Sequence, residues 1–285
     1  MAVAADCFLA EPEVGVEEVT FNVIKARLSK AEKAAAKQAW RREARKQQRQ
    51  RKTDRLRVQW LSMTEEERGL ARFAAKEDQR IVEERLQEGL MSGINVCIDL
   101  GFESEHSAKE LLSLCKQLQL SYNVLKRSLV PVHLHVTSLG SLSQHARDLY
   151  KSQGVDRWKV DQHEGGPWDV FPKERLVFLT PDAETSLDRF EDSTIYIIGG
   201  VVDRSVRKSV TLNRALEERI TVRRLPIQEY FPARRGSHIL NIDAVLASIC
   251  KHRELEDWAM ALAETMPLRK RVDKACGLFA HSSDD

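Results

Sequence analysis

The stretch TIYIIGGVVDRS, residues 194–205, decides how the rest of the chain is interpreted. Residues 194–198 are rich in β-branched side chains and include a tyrosine, which is typical of a strand buried on both faces of a parallel sheet. Gly199 and Gly200 end this predicted strand, and Asp203 follows. Ligands of open α/β sheets bind at the carboxyl ends of strands, where glycine lets the backbone approach a ligand with unusual torsions. We therefore expect a ligand site here, with Asp203 at its rim.

Short apolar runs alternate with helical patterns on both sides of this stretch. We predict further strands at residues 94–99, 131–138, 175–180 and 221–227, and helices at about residues 107–126, 206–219, 243–252 and 256–266. Strands separated by helices predict an α/β fold with a mainly parallel sheet and helices on both faces.

Motifs of several other enzyme classes do not occur in the sequence. The first predicted strand leads into Leu100 and Gly101 without the glycine pattern of a Rossmann dinucleotide site, and no P-loop sequence is present. GxSxG and HExxH, which mark serine hydrolases and zinc proteases, do not occur either. The glycine pair with Asp203 is therefore the strongest candidate for chemistry.

The positive charge of the chain is concentrated near its N-terminus. Residues 25–57 contain 14 basic and 3 acidic side chains, a net charge of +11 in a chain whose formal total is +2. Strong helix formers without Gly or Pro predict a long polar helix over about residues 28–57, and a capping-box sequence at residues 64–67 predicts a second charged helix to about residue 88. The first helix either contacts only solvent or binds the phosphates of a nucleic acid. The candidate phosphate-binding residues are Arg41, Arg42, Arg45, Lys46 and Arg49.

The overall composition limits the class of protein. With 285 residues and 42% hydrophobic content, the chain can bury one substantial core and carry a smaller appendage. No apolar run approaches the roughly 20 residues that span a bilayer, and the first residues resemble neither a secretory nor a mitochondrial leader. We expect a protein of the nucleus or the cytoplasm, or both, without membrane association.

Cysteine and histidine give little indication of a metal site. The five cysteines are scattered and never form a CxxC pair, which predicts reduced thiols. His133 and His135 share one face of a predicted strand, but no cysteine or third histidine follows at zinc-like spacing. Packing or surface roles are favoured for both histidines, and no metal is expected.

Several sequence blocks together resemble one enzyme family. IYIIGGVVD (residues 195–203), RRLPIQEY (223–230) and DWAMALAETMPLRK (257–270) look like the tRNA N1-methyltransferases that modify the purine at the ninth nucleotide, within the SPOUT superfamily. CIDL (97–100) and LVFLTPDA (176–183) fall in the same order. The resemblance covers about residues 94–270.

This resemblance implies an S-adenosylmethionine-dependent enzyme with a trefoil knot in its C-terminal part and a basic N-terminal extension that grips tRNA. Nothing in the periodicity indicates the knot. Since true knots are close to absent among folds, the knot is expected from the family resemblance alone. In such a family the loops of the knot hold the cofactor. The corresponding residues are Thr180, Gly199, Gly200, Asp203, Leu225, Pro226, Leu240, Asn241 and Asp243.

The chemistry of methyl transfer suits Asp203. The reaction needs alignment of donor and acceptor and, for guanine, removal of the N1 proton, whereas adenine N1 already carries a free lone pair. Guanine is favoured and adenine stays open. Three roles are open for Asp203: it acts as a base, it orients the purine, or it caps a helix. Asp99 is a second catalytic candidate, but capping of the loop is at least as good an interpretation of it.

Basic residues near the predicted cofactor loops are candidates for tRNA contacts, although such side chains are usually only solvated. They are Lys126, Arg127, Arg207, Lys208, Arg234 and Arg235. One departure from the family pattern lies in the last knot loop, where Asp243-Ala244 stands in place of the common Asn-His pair. An added acid there is expected to alter cofactor contacts or purine choice.

The resulting organisation has four segments. We predict a disordered acidic N-terminus (residues 1–24), a helical tRNA-binding extension (25–88), a SPOUT methyltransferase domain (89–272) and a flexible tail (273–285). The family resembles monomers that use the extension instead of a second subunit, so a monomer with tRNA as its partner is expected. The alternative function is a non-catalytic RNA-binding platform of the same fold.

Overall fold

The computed structural model describes residues 29–202, 209–232 and 239–266. The chain forms two compact units, Met1–Ala75 and Lys76–Asp285. The division falls inside a helix, whereas the sequence predicted a boundary between residues 88 and 89. The predicted terminal segments, residues 1–24 and 273–285, lie outside the described residues.

The first unit contains the predicted long polar helix. Helix α1 (Lys30–Ser62) begins with a capping box, in which Ser29 N donates to the Glu32 carboxylate at 2.8 Å and Glu32 N donates to Ser29 Oγ at 3.3 Å. None of its residues is buried. The helix extends beyond the predicted end near residue 57, because no Gly or Pro interrupts it before Ser62.

Helix α2 (Glu65–Ser92) begins at the predicted capping box. Thr64 N donates to the Glu67 carboxylate at 2.7 Å, and Glu67 N donates to Thr64 Oγ1 at 3.2 Å. The Arg68 guanidinium donates to the Trp60 and Leu61 carbonyls, both at 3.1 Å. These carbonyls have no partner within α1, so Arg68 caps its C-terminal end.

The second unit is built on a six-stranded sheet in which every recorded pairing is parallel, with the order β3-β2-β1-β5-β4-β6. The strands are β1 (Ile94–Asp99), β2 (Val132–Thr137), β3 (Asp161–Gln162), β4 (Leu176–Leu179), β5 (Ile195–Gly199) and β6 (Thr221–Arg223). All five predicted strands are present. The strand expected over residues 221–227 ends at Arg223, because Pro226 has no N–H for the ladder and a helical turn follows it.

Seven helices of the described chain surround this sheet. They are α3 (Ala108–Arg127), α4 (Gln144–Lys151), α5 (Pro167–Val170), α6 (Val210–Glu217), α7 (Ile227–Tyr230), α8 (Ile242–Leu255) and α9 (Trp258–Thr265). The helix predicted over residues 206–219 corresponds to α6, and residues 206–208 lie outside the described chain. None of the helices in the described ranges is both long and apolar enough to cross a bilayer.

Both faces of the sheet are covered, as the sequence predicted. Val96 and Ile98 of β1 belong to a core shared with α3, α8 and α9. Cys97 points to the other face and packs in a second core with Phe178 and Ala215 of α6. Each fully buried large apolar side chain contributes about 1.5–3 kcal/mol, so these two cores stabilise the sheet from both sides. The C-terminal knot stays a prediction from the family resemblance.

Candidate active site

A cleft opens at the C-terminal ends of β4 and β5. It encloses about 930 Å³ of empty space, including its solvent-filled mouth. The first residues of α6, the chain after β6 and the first turn of α8 complete its walls. Its walls are mainly apolar, with side chains from Leu179, Ile198, Val201, Leu225, Leu240 and Val245.

Close packing, not an unusual torsion, requires the two glycines. Neither has a positive φ; Gly154 is the one glycine of the described ranges that does. A Cβ at Gly199 would lie 2.6 Å from the Thr211 methyl carbon, and one at Gly200 would lie 2.5 Å from the Asp99 carbonyl oxygen. The expectation of strained glycine torsions was therefore wrong. Gly199 pairs with Asp99 as the last residue of β5, so the strand ends at the glycine pair as predicted.

Two hydrogen bonds connect the end of β4 with the start of α6 beside the cleft. The hydroxyls of Thr180 and Thr211 lie 2.9 Å apart. Ser209, with a φ of 67°, donates its backbone N–H to the Asp182 carboxylate at 3.1 Å. All four residues line the cleft. This polar wall fixes the position at which α6 begins.

His106 holds the chain on the other side of residues 203–208. Its Nε2 accepts the backbone N–H of Val202 at 2.9 Å. Burial disfavours the imidazolium and lowers the pKa of His106 below its usual value, so the neutral ring stays available as an acceptor. His106 and Asp182 therefore anchor the two residues that flank this segment. No sequence pattern pointed to His106, since a lone histidine carries none.

The predicted cofactor residues divide into three groups. Thr180, Gly199, Leu225 and Leu240 line the cleft. The others in the described chain are next in sequence to residues that line it: Gly200, Pro226, Asn241 and Asp243. Asp203 lies outside the described residues.

Asp243 stands in the first turn of α8. Its side chain is half-buried, and its Oδ1 has no hydrogen-bond partner within the described chain. Burial raises the pKa of this carboxyl. An acid at this position is costly without a partner.

Sequence reasoning missed several polar residues of the cleft. Asp182, Ser209, Thr211 and Gln228 line it. Asp182 lies two residues after the end of the strand predicted at residues 175–180, so the strand-end rule would have found it. Thr211 and Ser209 belong to the start of a helix distant in sequence, and no local pattern places them beside β4.

Asp99, the second catalytic candidate, lies in the interior and not among the residues that line the cleft. Its side chain is fully buried. Its Oδ1 accepts from Ser138 Oγ at 2.5 Å and from Gly101 N at 3.0 Å. Burial raises the pKa of the Asp99 carboxyl. These contacts match the alternative interpretation, in which Asp99 caps the loop after β1.

The predicted tRNA-binding residues of the described chain belong to both units. Arg41, Arg42, Arg45, Lys46 and Arg49 are exposed on α1, and no acidic side chain in the described residues forms an ion pair with them. Lys126 and Arg127 end α3, which leads into the start of β2. They therefore lie at the N-terminal ends of the strands, whereas the cleft lies at the C-terminal ends. The remaining predicted contacts lie outside the described residues: Arg207, Lys208, Arg234 and Arg235.

Known proteins with similar sequences or structures belong to one family. The sequence profile of tRNA (guanine(9)-N(1))-methyltransferase TRM10/TRM10A matches residues 20–271. The tRNA methyltransferase 10 homolog B of Danio rerio is 30% identical over 238 residues, covering 80% of this chain and 75% of that protein. The homolog B of Mus musculus is 35% identical over 188 residues, covering 64% and 59%. The tRNA (guanine(9)-N(1))-methyltransferase Trmt10A of Drosophila melanogaster is 29% identical over 187 residues, covering 65% and 58%.

The chain thus spans about three fifths of the mouse and fly relatives. The crystal structure of full-length spTrm10 in complex with SAH superposes with a TM-score of 0.55 and 28% identity, covering 62% of this chain and 96% of that one. The family profile covers all six strands of the sheet and the residues that line the cleft. The chain therefore belongs to the tRNA (guanine(9)-N(1))-methyltransferase TRM10/TRM10A family.

Proposed function

We propose that this chain is an S-adenosylmethionine-dependent methyltransferase that forms N1-methylguanine at the ninth nucleotide of tRNA. The observation that carries the proposal is the cleft at the C-terminal ends of β4 and β5, where four of the predicted cofactor residues meet. Family membership and the SAH complex of spTrm10 support it. Ligands of parallel α/β sheets bind at this edge.

The residues of the cleft fit the cofactor. Apolar side chains such as Leu225, Ile227 and Leu240 offer an apolar surface against which an adenine ring can pack. The hydroxyls of Thr180 and Thr211 and the amide of Gln228 offer hydrogen-bond partners for its polar groups. When bound, the cofactor supplies a methyl group on a positively charged sulfonium.

Asp203 handles the proton of the purine in this proposal. His106 holds the N–H of Val202, and Asp182 holds the N–H of Ser209, which fixes both flanks of residues 203–208 beside the cleft. Guanine must lose its N1 proton, and a carboxylate at this rim accepts it or orients the base. The burial and loop-capping contacts of Asp99 make it the weaker candidate.

The exposed arginines and lysines of α1 bind the tRNA backbone in this proposal. Their charges are not neutralised by acidic partners in the described chain, so they remain available to phosphates. The extension then serves one catalytic domain, and the enzyme works as a monomer. It acts in the nucleus, the cytoplasm or both, where tRNA is processed.

Methyl transfer to defined transcripts tests the proposal. The full chain is mixed with labelled S-adenosylmethionine and an unmodified tRNA that carries guanine at the ninth nucleotide. Matched transcripts with adenine or uridine at that position are the controls. We expect incorporation into the guanine transcript, and incorporation into the adenine transcript would extend the activity to both purines. Tight tRNA binding without methyl incorporation into any transcript would show the non-catalytic platform instead.

A further inference from the structure

Three histidines and an aspartate meet at the edge of the sheet away from the cleft. The strand order places β3 and β2 at one end, whereas the cleft lies at β5 and β4. His133 and His135 point from one face of β2, and Asp161 of β3 is in direct register with His135. His163 follows β3, and its N–H donates to the Val136 carbonyl at 2.8 Å. It lies 28 residues from His135 in sequence, which is why zinc-like spacing did not reveal the group.

Three of these residues, His133, His135 and Asp161, form a compact ligand set. His133 Nε2 lies 2.7 Å from Asp161 Oδ2, and His135 Nδ1 lies 3.8 Å from the same oxygen. One ligand atom from each of these three residues fits within 4.8 Å of the others. His135 Nδ1 also lies 3.3 Å from His163 Nε2. Ligand atoms around a tetrahedral zinc, at bond lengths of about 2.0–2.1 Å, are about 3.3 Å apart.

A second contact orients the central histidine. His135 Nε2 donates to Asn95 Oδ1 at 3.2 Å. The proton is then on Nε2, so the lone pair of Nδ1 points towards Asp161 and His163. A ligating histidine almost always donates its other ring nitrogen to an acceptor in this way. Asn95 therefore acts as the hydrogen-bond acceptor that orients the ligating His135.

The surroundings shield the group on its inner side. His135 is buried. Phe171 packs against both rings, at 5.0 Å from His135 and 5.6 Å from His163. Asp161 is half exposed, which leaves a path for an ion from solvent.

We propose that His133, His135, Asp161 and His163 form a structural site for a divalent transition metal, with Zn²⁺ as the best match. Three imidazoles and one carboxylate suit Zn²⁺, whereas Mg²⁺ and Ca²⁺ prefer oxygen ligands. Four protein ligands close the coordination sphere, which is typical of a structural zinc. The ion fastens β3, whose ladder spans only two residues, to β2.

Calorimetric titration of the full, chelator-treated chain with Zn²⁺ tests this site. We expect one ion per chain and a higher melting temperature with Zn²⁺, because the ion binds only the folded state. Asp161→Asn and His133→Gln should abolish both effects, and Asn95→Ala should weaken binding about 10–100-fold. His145→Gln, at an exposed histidine of α4, is the matched control and should bind as the wild type does. His135 is left intact because its buried ring contributes to the core.

Co²⁺ distinguishes this site from the cysteines. Bound to three imidazoles and a carboxylate, it should give the visible bands of tetrahedral cobalt without thiolate charge transfer. Circular dichroism checks that each variant is folded. The proposal is overturned if the wild type binds no stoichiometric Zn²⁺, if folded Asp161→Asn binds it with wild-type affinity, or if the cobalt spectrum shows thiolate ligands.

Discussion

Replacing Gly199 by alanine should disturb the floor of the cleft through one specific contact. The new Cβ would lie 2.6 Å from Thr211 Cγ2, whereas carbon atoms in contact are usually about 3.5–4.0 Å apart. The Phe178 ring, 3.4 Å away on another side, prevents the Cβ from shifting in that direction. Thr211 would have to rotate or α6 would have to move. Rotation breaks the hydrogen bond between the Thr211 and Thr180 hydroxyls.

The expected cost follows from these two terms. Overpacking a well-filled site costs about 1–3 kcal/mol, and loss of a hydrogen bond costs about 0.5–1.5 kcal/mol. Either rotation of Thr211 or movement of α6 is enough to remove the close contact. We therefore expect Gly199→Ala to lower the free energy of unfolding by about 1–3 kcal/mol. In a domain of this size that is a fall in melting temperature of about 2–4 °C per kcal/mol. Because Thr211 lines the cleft, the affinity for S-adenosylhomocysteine should fall as well.

A double-mutant cycle measured by denaturant unfolding and calorimetry tests the cause. Thr211→Ser removes the methyl group and keeps the hydroxyl for Thr180, so combined with Gly199→Ala it should restore most of the stability and affinity. Thr211→Val keeps a methyl group at the same place and is the matched control, which should not rescue. We expect a favourable coupling of about 0.5–3 kcal/mol with serine. If the effects of Gly199→Ala and Thr211→Ser simply add, the methyl contact does not explain the glycine.

Three further results are expected. Changing Arg41, Arg42 and Arg45 together to glutamine should weaken tRNA binding and reduce the slope of log affinity against log salt by about one unit per lost phosphate contact, measured by filter binding; an unchanged slope would mean that α1 is only solvated. Asp203→Asn should lower turnover on guanine about 10²–10⁴-fold with cofactor affinity kept, and a wild-type rate across pH would assign proton removal elsewhere. In metal-free protein, the neutral His135 stabilises the fold fully above its unfolded pKa of about 6.5, and this contribution should be lost as pH falls from there towards 3, measured by urea unfolding.

The local sequence determined the elements whose signals lie within a few residues. The β-branched runs of β1, β2 and β5 and the capping box at Thr64 are contiguous patterns, and each gave its element within a few residues of the observed ends. Local composition also placed the basic helix α1. These features depend on the alternation of side chains and on backbone groups close in the chain, so no knowledge of packing was needed.

Only the tertiary structure decided which distant residues meet. β3 has two exposed residues and no hydrophobic pattern, so its pairing with β2 follows from the edge that β2 leaves open. That pairing brings Asp161 and His163 to His135, as the return of α6 brings Thr211 to Gly199 and Thr180. The same packing places Lys126 at the N-terminal ends of the strands, away from the cleft. Such contacts depend on the order of strands and the path of the connecting helices, which are set by burial of both faces of the sheet and not by any local pattern.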